Sequence, residues 1–109
     1  MTFFGARYPI VQAPMAIVQP PSLAAVVSNA GGLGSIAGAT LTLDELHAAI
    51  AEVRASTEAP FGVNLFAPPY LRDGALEVVL DARPPVLSVT FGMIDPEPFR
   101  AAGIAVLAT

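Results

Sequence analysis

Three short segments hold the residue types from which a ligand site could be built. They are Gln12-Ala13-Pro14-Met15, the run Ser28-Asn29-Ala30-Gly31-Gly32-Leu33-Gly34-Ser35, and Phe61-Gly62-Val63-Asn64-Leu65-Phe66. Glycine and proline contribute little to a core, but they suit places where backbone must approach a flat ligand closely. Ala13-Pro14-Met15 leaves a strand through a proline flanked by one small and one soft, polarizable residue. Such a stretch serves either as an ordinary turn or as a backbone platform against a planar ring. Asn64 lies inside an otherwise apolar strand, where an amide must find partners or cost about 1–3 kcal/mol. It either satisfies neighbouring backbone or reaches a ligand at the strand's end. Ser88 and Thr90 raise the same question more weakly.

Other chemistry is excluded or unsupported. The chain has no cysteine, which removes disulfides, thiolate metal sites and a cysteine nucleophile. It has no lysine, so Schiff-base chemistry and a Walker-type loop are absent as well. No metal site is expected. The five arginines are scattered among nine acids, without the basic stripe that nucleic acid requires. Gly32-Leu33-Gly34-Ser35-Ile36-Ala37 matches G-x-G-x-x-A, but it follows a helix and opens a strand. That reverses the order which sets a pyrophosphate on a helix N-terminus. Gly31 and Gly32 read instead as a helix C-cap followed by tight helix–strand packing. His47 falls on a helix flank, away from any strand end. Asp95 and Glu97 read as helix-start acids.

The elements that must position these residues follow from hydrophobic period and punctuation. Strands are predicted at 8–13, 33–37, 61–66, 86–90 and 104–108. Pro20-Pro21 starts a helix over Ser22–Asn29, and Thr42 with Glu45 forms a capping box. The helix after it carries Leu43, Leu46, Ile50 and Val53 as one stripe, with Asp44, Glu45 and Glu52 facing away. Pro68-Pro69 is predicted to start a helix through Leu71, Leu76, Val79 and Leu80, and Asp95-Pro96-Glu97 to open a last one. Strands alternating with helices imply a parallel sheet with right-handed crossovers. Five strands fit an open doubly wound sheet or the first five of eight in a barrel of about 250 residues.

At 109 residues there is room for one domain. With 54% apolar and 13% charged residues, strands buried on both faces are indicated. Every long apolar stretch is broken before the roughly 18–20 residues a membrane helix needs. No signal peptide is apparent, and a cytoplasmic, non-membrane protein is expected.

Taken together, the segments resemble the N-terminal part of the nitronate monooxygenase family (formerly 2-nitropropane dioxygenases), flavin enzymes built on a TIM barrel. The matching residues are Pro9 to Met15, Leu23 to Gly34, Pro60 to Phe66, and Val89-Thr90-Phe91-Gly92. The resemblance implies an α/β fold consisting of the first five β-strands, with intervening helices, of a TIM (β/α)8 barrel, truncated. Residues 1–109 would then be the N-terminal part of a single FMN-binding domain. It implies FMN as cofactor, with Ala13, Pro14 and Met15 at the first strand end, where family backbone packs on the isoalloxazine. Asn64 matches the asparagine that contacts the flavin from the third strand. The implied reaction oxidises an alkyl nitronate with O₂. The family's active-site histidine lies beyond residue 109, His47 does not match it, and no catalytic residue is assigned. The phosphate loops after strands seven and eight also lie beyond the chain, and Pro68 to Pro85 is shorter than in many relatives.

Two alternatives remain. One is an FMN-dependent enoyl-acyl-carrier-protein reductase, a related barrel that tends to carry glycines where this chain has Ala13-Pro14-Met15. The other is a non-catalytic half-barrel. Its unclosed sheet edge would make the isolated chain aggregation-prone or homo-oligomeric. Such a chain is expected to be inactive and to bind FMN weakly or not at all.

Overall fold

The computed structural model describes residues 3–109. Four helices alternate with four strands: α1 (Pro21–Asn29), β1 (Gly34–Ala37), α2 (Leu43–Ser56), β2 (Phe61–Phe66), α3 (Ala75–Ala82), β3 (Val86–Thr90), α4 (Glu97–Ala101) and β4 (Ala105–Ala108). The strands lie in the order β1-β2-β3-β4, all parallel, with Ala37 beside Asn64 and Asn64 beside Ser88.

Side chains alternate along each strand, so the register sorts them onto two faces. One face carries Ile36, Val63, Leu65, Leu87 and Val89, all buried with Leu46, Ala49, Ile50, Val53, Val79 and Phe99 in the main core. The other carries Leu33, Ser35, Ala37, Gly62, Asn64, Phe66, Val86, Ser88, Thr90, Ala105 and Leu107. Ala6, Leu33 and Val86 form a second buried cluster, packed against Ala105 and Leu107. This second face is therefore apolar towards the strand starts and gains its amides and hydroxyls towards the strand ends.

The capping box forms as predicted. Thr42 Oγ1 accepts from the Glu45 amide at 3.2 Å, and Glu45 Oε1 accepts from the Thr42 amide at 2.9 Å. The two bonds to Thr42, the one from its backbone first, hold the Glu45 carboxyl below the usual glutamate range. Leu46, Ile50 and Val53 are buried as the stripe requires, but Leu43 stays exposed and Ala49 completes the face.

Two elements differ from expectation. The predicted first strand at 8–13 is reduced to a single bridge, Val11 to Leu33, so the sheet has four strands and not five. Its ladder bonds are Leu33 N to Ile10 O at 2.8 Å and Gln12 N to Leu33 O at 2.9 Å. The next ladder donor would be residue 14, and a proline has no N–H to give. The predicted helix after Pro68-Pro69 begins at Ala75 instead. Residues 67–74 form turns, with Tyr70 N to Ala67 O at 3.0 Å and Ala75 N to Arg72 O at 3.1 Å. The dipeptide Asp73-Gly74 is a turn signal, and Gly74 takes a φ of 88°.

Candidate functional site

The strand ends form one rim, and Asn64 is its most constrained polar group. The residue is 3% exposed. Its Nδ2 donates to Ser88 Oγ at 2.9 Å and Thr90 Oγ1 at 3.0 Å. Thr90 Oγ1 in turn pairs with Thr109 Oγ1 at 2.7 Å, and Thr109 Oγ1 donates to Val89 O at 3.3 Å. Nδ2 also donates to Ser88 O at 3.4 Å, and that carbonyl, which can only accept, sets which end of the amide faces the two hydroxyls singled out in the sequence. All recorded bonds of the side chain run through Nδ2, which orients Oδ1 as its acceptor.

Ala13, Pro14 and Met15 are exposed at the same end of the sheet. The Met15 amide donates to Gln19 Oε1 at 2.9 Å, and Gln19 Nε2 donates to Ser35 O at 2.5 Å. Ser35 N donates to Gln12 Oε1 at 3.1 Å. Gln12 Nε2 is buried and has no partner among the described residues. The segment is thus fastened to β1, whose Ala37 neighbours Asn64 in register. The Ala13-Pro14-Met15 segment and Asn64 share a rim, with no hydrogen bond between them among the described residues. A cavity of about 380 Å³ opens beside it, between Ile17, Gln19, Ala37 and Glu45. It lies partly against Ile36, on the helix-covered side, and none of the four lines it.

The glycine-rich run, grouped in the sequence with the other two segments as site material, lies at the start of β1, on the opposite rim. Gly31, with φ of 105°, closes α1: its amide bonds to Ser28 O at 3.1 Å and the Gly32 amide to Val27 O at 3.2 Å, a Schellman motif. A Cβ at Gly34 would collide with the Ala24 carbonyl. Ser28 Oγ accepts from Gly34 N at 3.0 Å and donates to Pro60 O at 2.9 Å, joining α1 to the entries of β1 and β2. These residues cap and pack, which agrees with the C-cap reading and removes them from the site.

His47 is exposed on α2. Asp95 Oδ1 accepts from Glu97 N at 3.1 Å, as a helix-start acid does. Among the described residues, no group of histidine and carboxylate side chains could hold a metal, and no helix is long and apolar enough to cross a membrane. Sequence reasoning missed Gln19, and it missed the aromatic group in which Phe91 packs on Phe66 and Tyr70 at 5.0 and 5.8 Å. Gln19 had one available signal: a lone amide following a proline that leaves a ladder carbonyl without its donor.

A parallel α/β sheet with its polar groups at the strand ends is the architecture of barrel enzymes. The fold is that of a TIM-barrel segment. It matches a nitroalkane oxidase from Streptomyces ansochromogenes with a TM-score of 0.89 and 34% identity, over 95% of this chain and 40% of that one. FabK from Thermotoga maritima matches with a TM-score of 0.82 and 34% identity, over 94% and 34% of the two chains. The family model for nitronate monooxygenase matches residues 1–73, and the chain belongs to that family.

A nitronate monooxygenase of Pseudomonas aeruginosa is 56% identical over 62 residues, 57% of this chain and 18% of that protein. The (3aS,4S,5R,7aS)-5-hydroxy-7a-methyl-1-oxo-octahydro-1H-indene-4-carboxyl-CoA dehydrogenase of Rhodococcus jostii is 36% identical over 107 residues, 94% of this chain and 30% of that protein. The chain thus spans less than a third of either relative. The family is one of oxidoreductases, flavoproteins in general.

Proposed function

We propose that this chain supplies one wall of an FMN site in an oxidoreductase that converts alkyl nitronates with O₂. The observation that supports it most is the Asn64 amide, held by Ser88 and Thr90 at the rim where Ala13-Pro14-Met15 is exposed. The residues present fit such a group. A buried Gln12 Nε2 without a protein partner stands behind the exposed segment, and Asn64 Oδ1 can accept a hydrogen bond. Ala13, Pro14 and Met15 would offer backbone and a soft side chain to the isoalloxazine, and Asn64 would meet its polar edge. When bound, FMN supplies the redox chemistry, and the protein's part is to bind, orient and exclude water.

No residue of this chain is assigned as the catalytic base, so the 109 residues alone are expected to be inactive and to bind FMN weakly. Among the described residues β4 pairs on one side only, and its open edge favours self-association. A cytoplasmic location is proposed with this reading.

The test of function is nitronate-dependent O₂ uptake, without NAD(P)H, by a protein carrying this segment within the full family length. NAD(P)H oxidation that depends on an enoyl thioester would replace this reading with the reductase one. The likeness to a carboxyl-CoA dehydrogenase over 94% of the chain keeps thioester substrates as the second reading.

A further inference from the structure

Pro14 creates a specific deficit. In a parallel ladder continuing from Leu33, Ser35 N would donate to residue 12 and Ser35 O would accept from residue 14. Proline cannot donate, so the Ser35 carbonyl on the β1 edge would be left without its backbone partner. Two glutamine side chains fill both places. Gln12 Oε1 takes the Ser35 N–H at 3.1 Å, and Gln19 Nε2 donates to Ser35 O at 2.5 Å. Each amide's orientation is fixed by its bonds, because an N–H donor must meet an oxygen and a carbonyl must meet an amide nitrogen. Gln19 Oε1 also accepts from Met15 N at 2.9 Å, so the same side chain grips the segment that leaves the sheet.

We infer that Gln12 and Gln19 are positioning residues: a side-chain clamp that replaces the missing strand at Ser35 and sets the Ala13-Pro14-Met15 segment at a fixed height on the rim. The clamp holds the segment against a local penalty. Ile17, between the two glutamines, is a β-branched residue at φ 74° and 95% exposed, a conformation that persists only where neighbours impose it. The role towards a flavin rests on the functional reading above. The clamp itself does not.

Amide hydrogen exchange by NMR, without FMN, tests the clamp on its own. In the wild-type chain the Met15 amide should be protected at least tenfold over a free peptide, although the residue is 46% exposed. Exchange at the free-peptide rate would overturn the inference without any variant. Gln19→Met, close in shape and lacking both bonds, should speed Met15 exchange at least tenfold while leaving Gly34 unchanged. Gln19→Glu, which keeps an acceptor for Met15 N but sets a carboxylate against the Ser35 carbonyl, should restore only part of that protection. Gln12→Met should speed Ser35 exchange and leave Met15 unchanged. Equal exchange at Met15 in all four proteins would contradict the clamp. An FMN titration then separates the two ideas. Loss of FMN-induced shifts at Met15 in Gln19→Met, with those at Asn64 retained, supports positioning of a flavin platform. No FMN response in the wild type sinks the flavin reading and leaves the exchange result to decide the clamp.

Discussion

The two ends of the sheet are built from opposite materials. At the strand starts, loops and helix ends are stitched together. Ser28 joins Gly34 to Pro60, Thr57 Oγ1 donates to Asn29 Oδ1 at 2.6 Å, and Arg54 donates to the Ala82 and Arg83 carbonyls at 2.6 and 2.8 Å. Left-handed non-glycine backbone occurs at both ends, at Phe4 and Arg83 by the strand starts and at Ile17 and Phe91 by the strand ends. At the strand ends, Met15, Ile17, Val18, Tyr70, Phe91 and Met93 are exposed. Between them lies the fixed Asn64 amide. One end is tied together by side-chain hydrogen bonds between its loops, and the other exposes large apolar side chains around a single fixed amide. The first reads as stability and the second as binding, the division expected of barrel enzymes.

The sharpest way to break the first end is Gly34→Ala. Its Cβ would meet α1 backbone, which cannot give way as a side chain can. A loss of about 3 kcal/mol or more is expected in denaturant unfolding, a large share of a domain's whole stability. Ser28→Ala removes a hydroxyl that serves Gly34 N and Pro60 O in a buried site. It should cost about 1–3 kcal/mol in the same measurement and leave FMN-induced shifts at the opposite rim unchanged. Thr42→Ala, which breaks the capping box on α2, should cost about 1 kcal/mol.

The smallest effect is one of pH. Glu45 has a lowered carboxyl pKa in the fold, so its contribution is present above the unfolded value and is lost as pH falls through the folded one. The difference in melting temperature between wild type and Glu45→Ala should therefore be greatest near neutrality and vanish in acid below the ordinary glutamate range. A difference that persists there would show the carboxylate charge to be irrelevant.

What the residues disclosed in advance depended on whether their interactions are local. The capping box, the α1 C-cap and the strands ending at Phe66 and Thr90 are set within a few residues and were legible. Asn64 stood out because an amide in an apolar strand demands partners, and two of them, Ser88 and Thr90, were already in view. The glycine run was placed correctly between helix and strand, but it was also grouped with the site material, since small residues look alike whether they meet a ligand or, like Gly34, a helix backbone. The start of α3 was missed because proline is permitted in both helix starts and turns, and Asp73-Gly74 decided the matter. Gln19 offered only an indirect signal, for a different reason. Its partners, Met15 and Ser35, are brought to it only once β1 lies beside the segment that precedes α1.

The central claim is that the strand-end rim, not the glycine-rich rim, receives the flavin. The direct measurement is an FMN titration of the isotope-labelled 109-residue chain followed by amide chemical shifts, which report even weak binding. The account predicts saturable shifts at Ala13, Met15 and the Asn64 side-chain amide, none at Gly31 to Gly34, and at least tenfold weaker binding, about 1.4 kcal/mol, in Asn64→Ala. Shifts centred on Gly31 to Gly34, or an Asn64→Ala protein that binds FMN as well as the wild type, would contradict it.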